Sequence, residues 1–172
     1  VALAGIMGGT NSQVSDSTRH IVLESACFDP ATVRQSSKKY GLRSDSSYRF
    51  ERGVDWEGVV SAQARAILLI KELAGGEICS GRVDIYPEKG KPVSVSLRLS
   101  RLNQLLGASF KAKQVQDLLS RLGMEIASPS EDMEVKIPSF RPDLLREVDL
   151  IEEIARIDGF DKVDTVYPVA GV

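Results

Sequence analysis

The spacing of apolar positions changes period along the chain, and each change marks an element. Residues 2–7 form a short apolar run broken by Gly5 and followed by Gly8 and Gly9. That pattern predicts a strand ending in a tight turn, with glycines that permit positive φ or a close backbone approach. Residues 21–26 and 78–86 also have the composition of strands, and Glu24 sits among apolar neighbours in the first. Between them Asp29 fits a helix N-cap, Pro30 the first helical position and Gly41 the stop after Tyr40. Residues 41–53, GLRSDSSYRFERG, carry no apolar period and read as an irregular loop of small hydroxyls and arginines. Arg49 and Arg52 can meet phosphate there or pair with Asp45, Glu51 and Asp55. Val59–Ala74 is an Ala/Leu/Ile-rich helix ended by Gly75 and Gly76, and its wide apolar surface predicts burial.

The second half opens after a charged Gly/Pro linker, residues 88–92, which marks a domain boundary. Val93, Val95, Leu97 and Leu99 alternate with polar residues, as in a half-buried strand. Ser100 is placed to cap a helix over residues 101–106, stopped by Gly107. Residues 111–122 give an amphipathic helix with Val115, Leu118, Leu119 and Leu122 inward and Gly123 as its stop. Residues 124–126 and 133–137 read as a hairpin around a polar tip. A last helix follows Pro142, with Leu144, Val148, Ile151 and Ala155 at helical spacing toward a core. The fold class implied is α+β, with a second domain resembling a winged helix.

Composition narrows the class without changing this picture. The chain has 172 residues, 42% hydrophobic and 27% charged, as in an ordinary globular protein with room for one large or two small cores. A net charge of -2 supplies no global attraction to nucleic acid, though local basic patches are compatible with it. Two distant cysteines, Cys27 and Cys79, point to a reducing compartment rather than a disulfide framework. No apolar run is long enough to span a bilayer, so no membrane partner is expected. The opening VALAGIMGG, without an initiator Met, reads as part of something longer.

The densest chemistry lies in residues 141–159, RPDLLREVDLIEEIARIDG. Asp149, Glu152 and Glu153 fall on one helix surface, with Asp143 near its entrance. Two readings stand on spacing alone. One is a solvated acidic face balanced by Arg146 and Arg156; the other is a hard-oxygen site for a divalent cation such as magnesium.

With these residues in view the chain resembles the phenylalanine–tRNA ligase beta-subunit family of bacterial type. The likeness is carried, in order, by AGIMGG at 4–9, LESA at 23–26, GLRSDSSYRFERGVD at 41–55, RLNQLLG at 101–107 and PSFRPDLLREVDLIEEIARIDGFD at 138–161. Ordered blocks are far more specific than any single motif. The resemblance implies that residues 1–87 are the C-terminal part of a B3/B4 editing domain, a partial α/β layer. Residues 93–163 would be a B5 domain and 164–172 a tail toward the next domain. It implies an editing pocket for mischarged tyrosine at Gly5, Gly8, Glu24, Ser44 and Ser46, where Glu24 would bond the tyrosine hydroxyl that phenylalanine lacks. It implies magnesium on Asp143, Asp149, Glu152 and Glu153, shared with an alpha subunit in a heterotetramer of two alpha and two beta chains. Transfer RNA is the implied partner, the cytoplasm the implied compartment, and ATP a substrate of the whole enzyme that this stretch does not bind. No residue for the aminoacylation step is expected here.

The chain departs from the family pattern in places. Ser44 and Ser46 stand where threonine and alanine are commoner, and Trp56 and Asp164 stand where proline is usual. Two other readings compete. A free-standing nucleic-acid-binding winged helix would carry a basic recognition helix; Lys111 and Lys113 fit, but the last helix is acidic. A stand-alone deacylase resembling the editing domain is the third.

Overall fold

Glycines in left-handed geometry and N-cap side chains divide the chain into its elements. The computed structural model describes residues 1–87, 89–127 and 129–163. It divides between Gly90 and Lys91 into two units, described in turn. The tail expected over 164–172, with Asp164, lies outside the described residues, as do Glu88 of the linker and Ser128 of the hairpin tip. No helix among the described residues is long and apolar enough to cross a membrane.

In the first unit the opening run is a miniature hairpin. Strands β1 (Ala2–Leu3) and β2 (Met7–Gly8) pair antiparallel, Leu3 opposite Met7. The turn needs a glycine: Gly5 has φ +70°, and a Cβ there would stand 3.0 Å from both Phe28 and Val33. A single 3-10 turn follows at Thr10–Ser12. Helix α1 (Pro30–Tyr40) begins and ends as its sequence dictates. Asp29 accepts the Thr32 N–H at 2.8 Å, and Gly41 closes it in the left-handed region.

Residues 45–50 correct the irregular reading. They form a short helix, α2 (Asp45–Phe50), because Ser44 and Ser47 build a reciprocal capping box. The Ser47 amide donates to the Ser44 hydroxyl at 3.1 Å, and the Ser44 amide to the Ser47 hydroxyl at 2.9 Å. Arg52 takes the ion-pair option, donating to Glu51 at 2.7 Å.

Helix α3 (Val59–Ala74) forms as expected, but its burial does not: none of its residues is buried. Residues 21–26 and 78–86 are not strands either. A strand needs a partner ladder, and among the described residues neither segment has one. Instead the backbone near Glu24 is tied to α3 by side chains. Gln63 Nε2 donates to the Leu23 carbonyl at 3.0 Å, and the Ser25 hydroxyl to the Val59 carbonyl at 2.9 Å.

The second unit is α+β with a dense core. Strand β3 (Val93–Arg98) leads into α4 (Leu99–Leu106) and α5 (Ala112–Ser120). Then come β4 (Glu125–Ile126), β5 (Asp132–Ile137) and α6 (Glu147–Asp158). The antiparallel sheet runs β3-β5-β4, with Val95 opposite Val135 and Leu97 opposite Met133. Alternation along β3 and β5 sends Val95, Leu97, Met133, Val135 and Ile137 to one face. There they join Leu102, Val115, Leu119, Leu144, Leu150, Ile151 and Ile154.

Two helix starts, and the inward set of the last helix, differ from expectation. Helix α4 starts at Leu99, after Arg98, with no side-chain cap, so Ser100 is inside it. Helix α6 starts at Glu147 rather than beside Pro142. Leu144 is buried from the preceding turn, and Val148 is 42% exposed, its expected place in the core held by Leu150 and Ile154.

Candidate functional site

Of the five residues expected to line an editing pocket, Ser44 and Ser46 both bond to the turn that contains Gly5. The Ser44 hydroxyl donates to the Ile6 carbonyl, and the Ser46 hydroxyl to the Gly5 carbonyl at 2.9 Å. Two hydroxyls from the start of α2 thus hold the hairpin turn across some forty positions of sequence. Ile6 is buried beneath them, and Phe28 and Phe50 meet edge to face with centroids 4.9 Å apart. The turn is therefore fixed on three sides, although it belongs to a two-stranded ribbon that would be marginal alone. The positions occupied by Ser44 and Ser46 thus carry a physical demand beyond small size: each hydroxyl satisfies a backbone carbonyl of the glycine turn.

Gly8 and Glu24 stand apart from this set. Gly8 is exposed, with open space where a Cβ would be. Glu24 is also exposed, and its carboxylate makes no hydrogen bond or ion pair among the described residues. A carboxylate left unpaired can accept a hydrogen bond from a ligand hydroxyl.

The acidic cluster of the second unit is arranged differently from a metal site. Glu153, the buried carboxylate, receives Arg156 Nη2 at 2.6 Å and Arg141 Nη1 at 3.0 Å. Arg156 first, then Arg141, hold its pKa down at about 2 against the opposing effect of burial. Arg141 also forks onto Asp143, with bonds of 3.0 and 2.7 Å, and that contact lowers the Asp143 pKa. Asp149 caps the start of α6. It accepts the Leu145 amide at 3.0 Å and the Arg146 amide at 2.8 Å, which lower its pKa together with the Arg146 side chain. Glu152 is exposed.

The four carboxylates expected to converge on magnesium are thus divided among helix capping, two arginines and solvent. Among the described residues no group of three or more His, Cys, Asp or Glu is placed to hold a metal ion. Spacing along the helix located the acidic face correctly. It did not show that Arg141, brought back by the Pro138–Arg141 turn, would occupy the middle of it.

One carboxylate escaped sequence reasoning. Glu147 accepts Arg98 Nε at 3.0 Å and Nη2 at 2.6 Å, the Arg98 amide at 2.9 Å, and lies 3.2 Å from Arg101 Nε. It joins the first turn of α6 to the junction of β3 and α4. An acidic residue in a first helical turn was the available signal, but nothing local named its partner 49 positions away.

Comparison with known proteins agrees with the division into units. Residues 1–75 match the B3/4 domain family, and residues 95–160 match the tRNA synthetase B5 domain family. The phenylalanine–tRNA ligase beta subunit of Syntrophus aciditrophicus is 47% identical over 176 residues, covering 100% of this chain and 22% of that protein. The protein of the same name from Thermotoga maritima is 47% identical over 165 residues, covering 96% of this chain and 21% of its own length. The chain therefore spans about a fifth of the length of the curated relatives it matches. A crystal structure of an N-terminal fragment of the phenylalanyl-tRNA synthetase beta-subunit from Pyrococcus horikoshii overlaps 43% of this chain and 21% of its own, at 20% identity and a TM-score of 0.39, a likeness too loose to carry weight. With both of its units matched in order and relatives aligned along its whole length, the chain belongs to the phenylalanine–tRNA ligase beta-subunit family.

Proposed function

We propose that this chain acts as part of a phenylalanine–tRNA ligase beta subunit, in a cytoplasmic enzyme that charges tRNA with phenylalanine at the expense of ATP. Its first unit contributes to a pocket that hydrolyses tRNA mischarged with tyrosine. Its second unit serves assembly with an alpha subunit and handling of tRNA. The observation that carries the editing role is the locking of the Gly5 turn by Ser44 and Ser46, taken together with a Glu24 carboxylate that is exposed and makes no ion pair among the described residues. A rigid glycine turn offers backbone amides at close approach, and a free carboxylate accepts the phenolic hydroxyl that separates tyrosine from phenylalanine.

The carboxylates expected to hold magnesium do not fit that ion as they are arranged, because Glu153 and Asp149 are engaged by arginines and helix amides. No step of the proposed function runs through it. Reading the second unit as a free-standing nucleic-acid-binding winged helix is not favoured, since its last helix presents Glu152 and the Glu153–arginine cluster rather than a basic face.

The test is Glu24→Ala in the intact enzyme. Removing one hydrogen-bond partner of the tyrosine hydroxyl should weaken discrimination by about 1–3 kcal/mol. Deacylation of Tyr-tRNA should slow by one to two orders of magnitude, with phenylalanine charging nearly unchanged. Parallel loss of both activities would assign Glu24 a structural role and remove the reading.

A further inference from the structure

A cavity of about 480 Å³ opens between α1 and α2, and its lining is strongly basic. Arg34 and Lys38 lie one helical turn apart on α1, Arg43 follows on the loop to α2, and Arg52 reaches in from beyond α2. In a chain of net charge -2 this is a local reversal of sign. Only Arg52 is neutralised, by Glu51 at 2.7 Å. Arg34, Lys38 and Arg43 form no ion pair among the described residues.

The floor of the cavity is held in place. The Ser37 hydroxyl donates to the Leu42 carbonyl, and the Ser47 hydroxyl to the Ser44 carbonyl at 3.0 Å. These bonds fix the loop that carries Arg43. Arg52 is fixed as well: Nη1 donates to the Tyr48 carbonyl at 2.7 Å, and the guanidinium lies 3.6 Å from the Tyr48 ring centroid. The Tyr48 residue is 61% exposed, leaving ring surface for a further flat group. The volume suits a nucleotide better than a single small ion, since ligand cavities of roughly 300–1,000 Å³ take small organic molecules. Cations that track a backbone and an aromatic surface that stacks on bases are the parts of a single-strand nucleic-acid site.

We propose that this cavity binds a nucleotide of a single-stranded RNA end, Arg34, Lys38 and Arg43 holding its flanking phosphates and Tyr48 its base. This rests on the editing role proposed above and deepens it. Ser44 both lines the cavity and donates to the Gly5–Gly8 turn, so RNA held here would end beside the place where its terminal ester is cleaved.

The experiment measures anisotropy of a fluorescein-labelled single-stranded RNA heptamer with a free 3′ end, titrated with the whole 172-residue chain across a salt series. Each phosphate contact in a single strand contributes about 0.7 to the slope of log K against log salt, so Arg34→Gln/Lys38→Gln/Arg43→Gln should reduce the slope by about 2 and weaken binding at least ~10-fold. All three residues are exposed, so the variant should fold, which circular dichroism checks. Arg34→Lys/Arg43→Lys, which keeps the charge, should stay close to the unaltered chain. Arg65→Gln/Lys71→Gln, on exposed positions of α3, should also bind normally. Inorganic phosphate should compete only at far higher concentration than unlabelled RNA. Equal losses in the α3 variant, no loss in the triple variant, or phosphate competing as well as RNA would each overturn the proposal. The two readings separate in the intact enzyme. Normal RNA affinity without Tyr-tRNA hydrolysis removes the editing role alone, and normal hydrolysis in the triple variant with unchanged RNA affinity removes the RNA site alone.

Discussion

The two units are near equals in length and opposites in packing. In the first, Ile6 and Val33 are the buried apolar residues; in the second, a cluster of fifteen fills the space between sheet and helices. Both contain apolar helices. Helix α3 leaves Leu73 82% exposed and Leu68 57% exposed, whereas Leu119 of α5 and Leu150 of α6 are wholly covered. The difference teaches that an apolar helical stripe states a demand for cover and says nothing of where cover comes from. The second unit meets that demand within its own elements. The first is held mainly by polar devices: the Asp29 cap, the Ser44–Ser47 box and the hydroxyls on the glycine turn.

That contrast can be broken most forcefully in the cores. Leu119→Ala should destabilise the second unit by about 2–5 kcal/mol, the usual range for a fully buried leucine. Leu68→Ala in α3 should shift the first unit by under ~0.5 kcal/mol, as expected of an exposed position. Urea denaturation followed by residue-resolved NMR separates the units, and comparable losses from the two substitutions would erase the distinction.

The charged cluster sharpens the comparison at the next level. Glu153→Gln should cost the second unit about 1–2 kcal/mol at neutral pH, because two arginines lose a charged acceptor in a partly screened setting. The pH dependence has a definite sign. The Glu153 pKa is depressed from an ordinary 4.5 to about 2, so its contribution is complete above about pH 4.5 and is lost as pH falls toward 2. Stability curves of the parent and the Gln variant should converge across that window. Curves that stay parallel from pH 7 to 2 would mean that the charge contributes nothing.

Among substitutions that remove a contact, the smallest loss falls on the polar scaffold of the first unit. Ser44→Ala removes the α2 cap and should cost about 1 kcal/mol. The loss should appear as faster amide exchange at Ile6, whose amide donates to the Leu3 carbonyl in the turn, with no change in the second unit. Unchanged exchange at Ile6 would mean that the hydroxyl does not hold the turn.

Much of this was legible from local chemistry, and the failures share a cause. Helix α1 is written in Asp29, Pro30 and Gly41, and the ladder of β3 in the alternation from Val93 to Leu99. Helix α2 was missed because six residues give no apolar period; its signal was two serines three apart, Ser44 and Ser47. Residues 21–26 and 78–86 have strand composition, but pairing is a property of two segments and cannot be read from one. The site divides in the same way. The small residues around Gly5 were picked out through family resemblance, and the structure supplies their physical reason in two carbonyl acceptors. The acidic face was found by spacing, while Arg141, the residue that decides its chemistry, arrives from another turn and left no mark on the helical period.

The sheet order of the second unit also implies a sequence in time. The hairpin pairs Ile126 with Val135 over a short interval, but β3 pairs with the far side of the same central strand, Val93 with Ile137 and Arg98 with Asp132, across two intervening helices. Non-local pairings must overcome loop-closure entropy before they are rewarded, so topology rather than stability sets their rate. The first strand of the unit is thus expected to find its place after the hairpin, with the Arg98–Glu147 contact, which spans 49 positions, closing behind it like a latch.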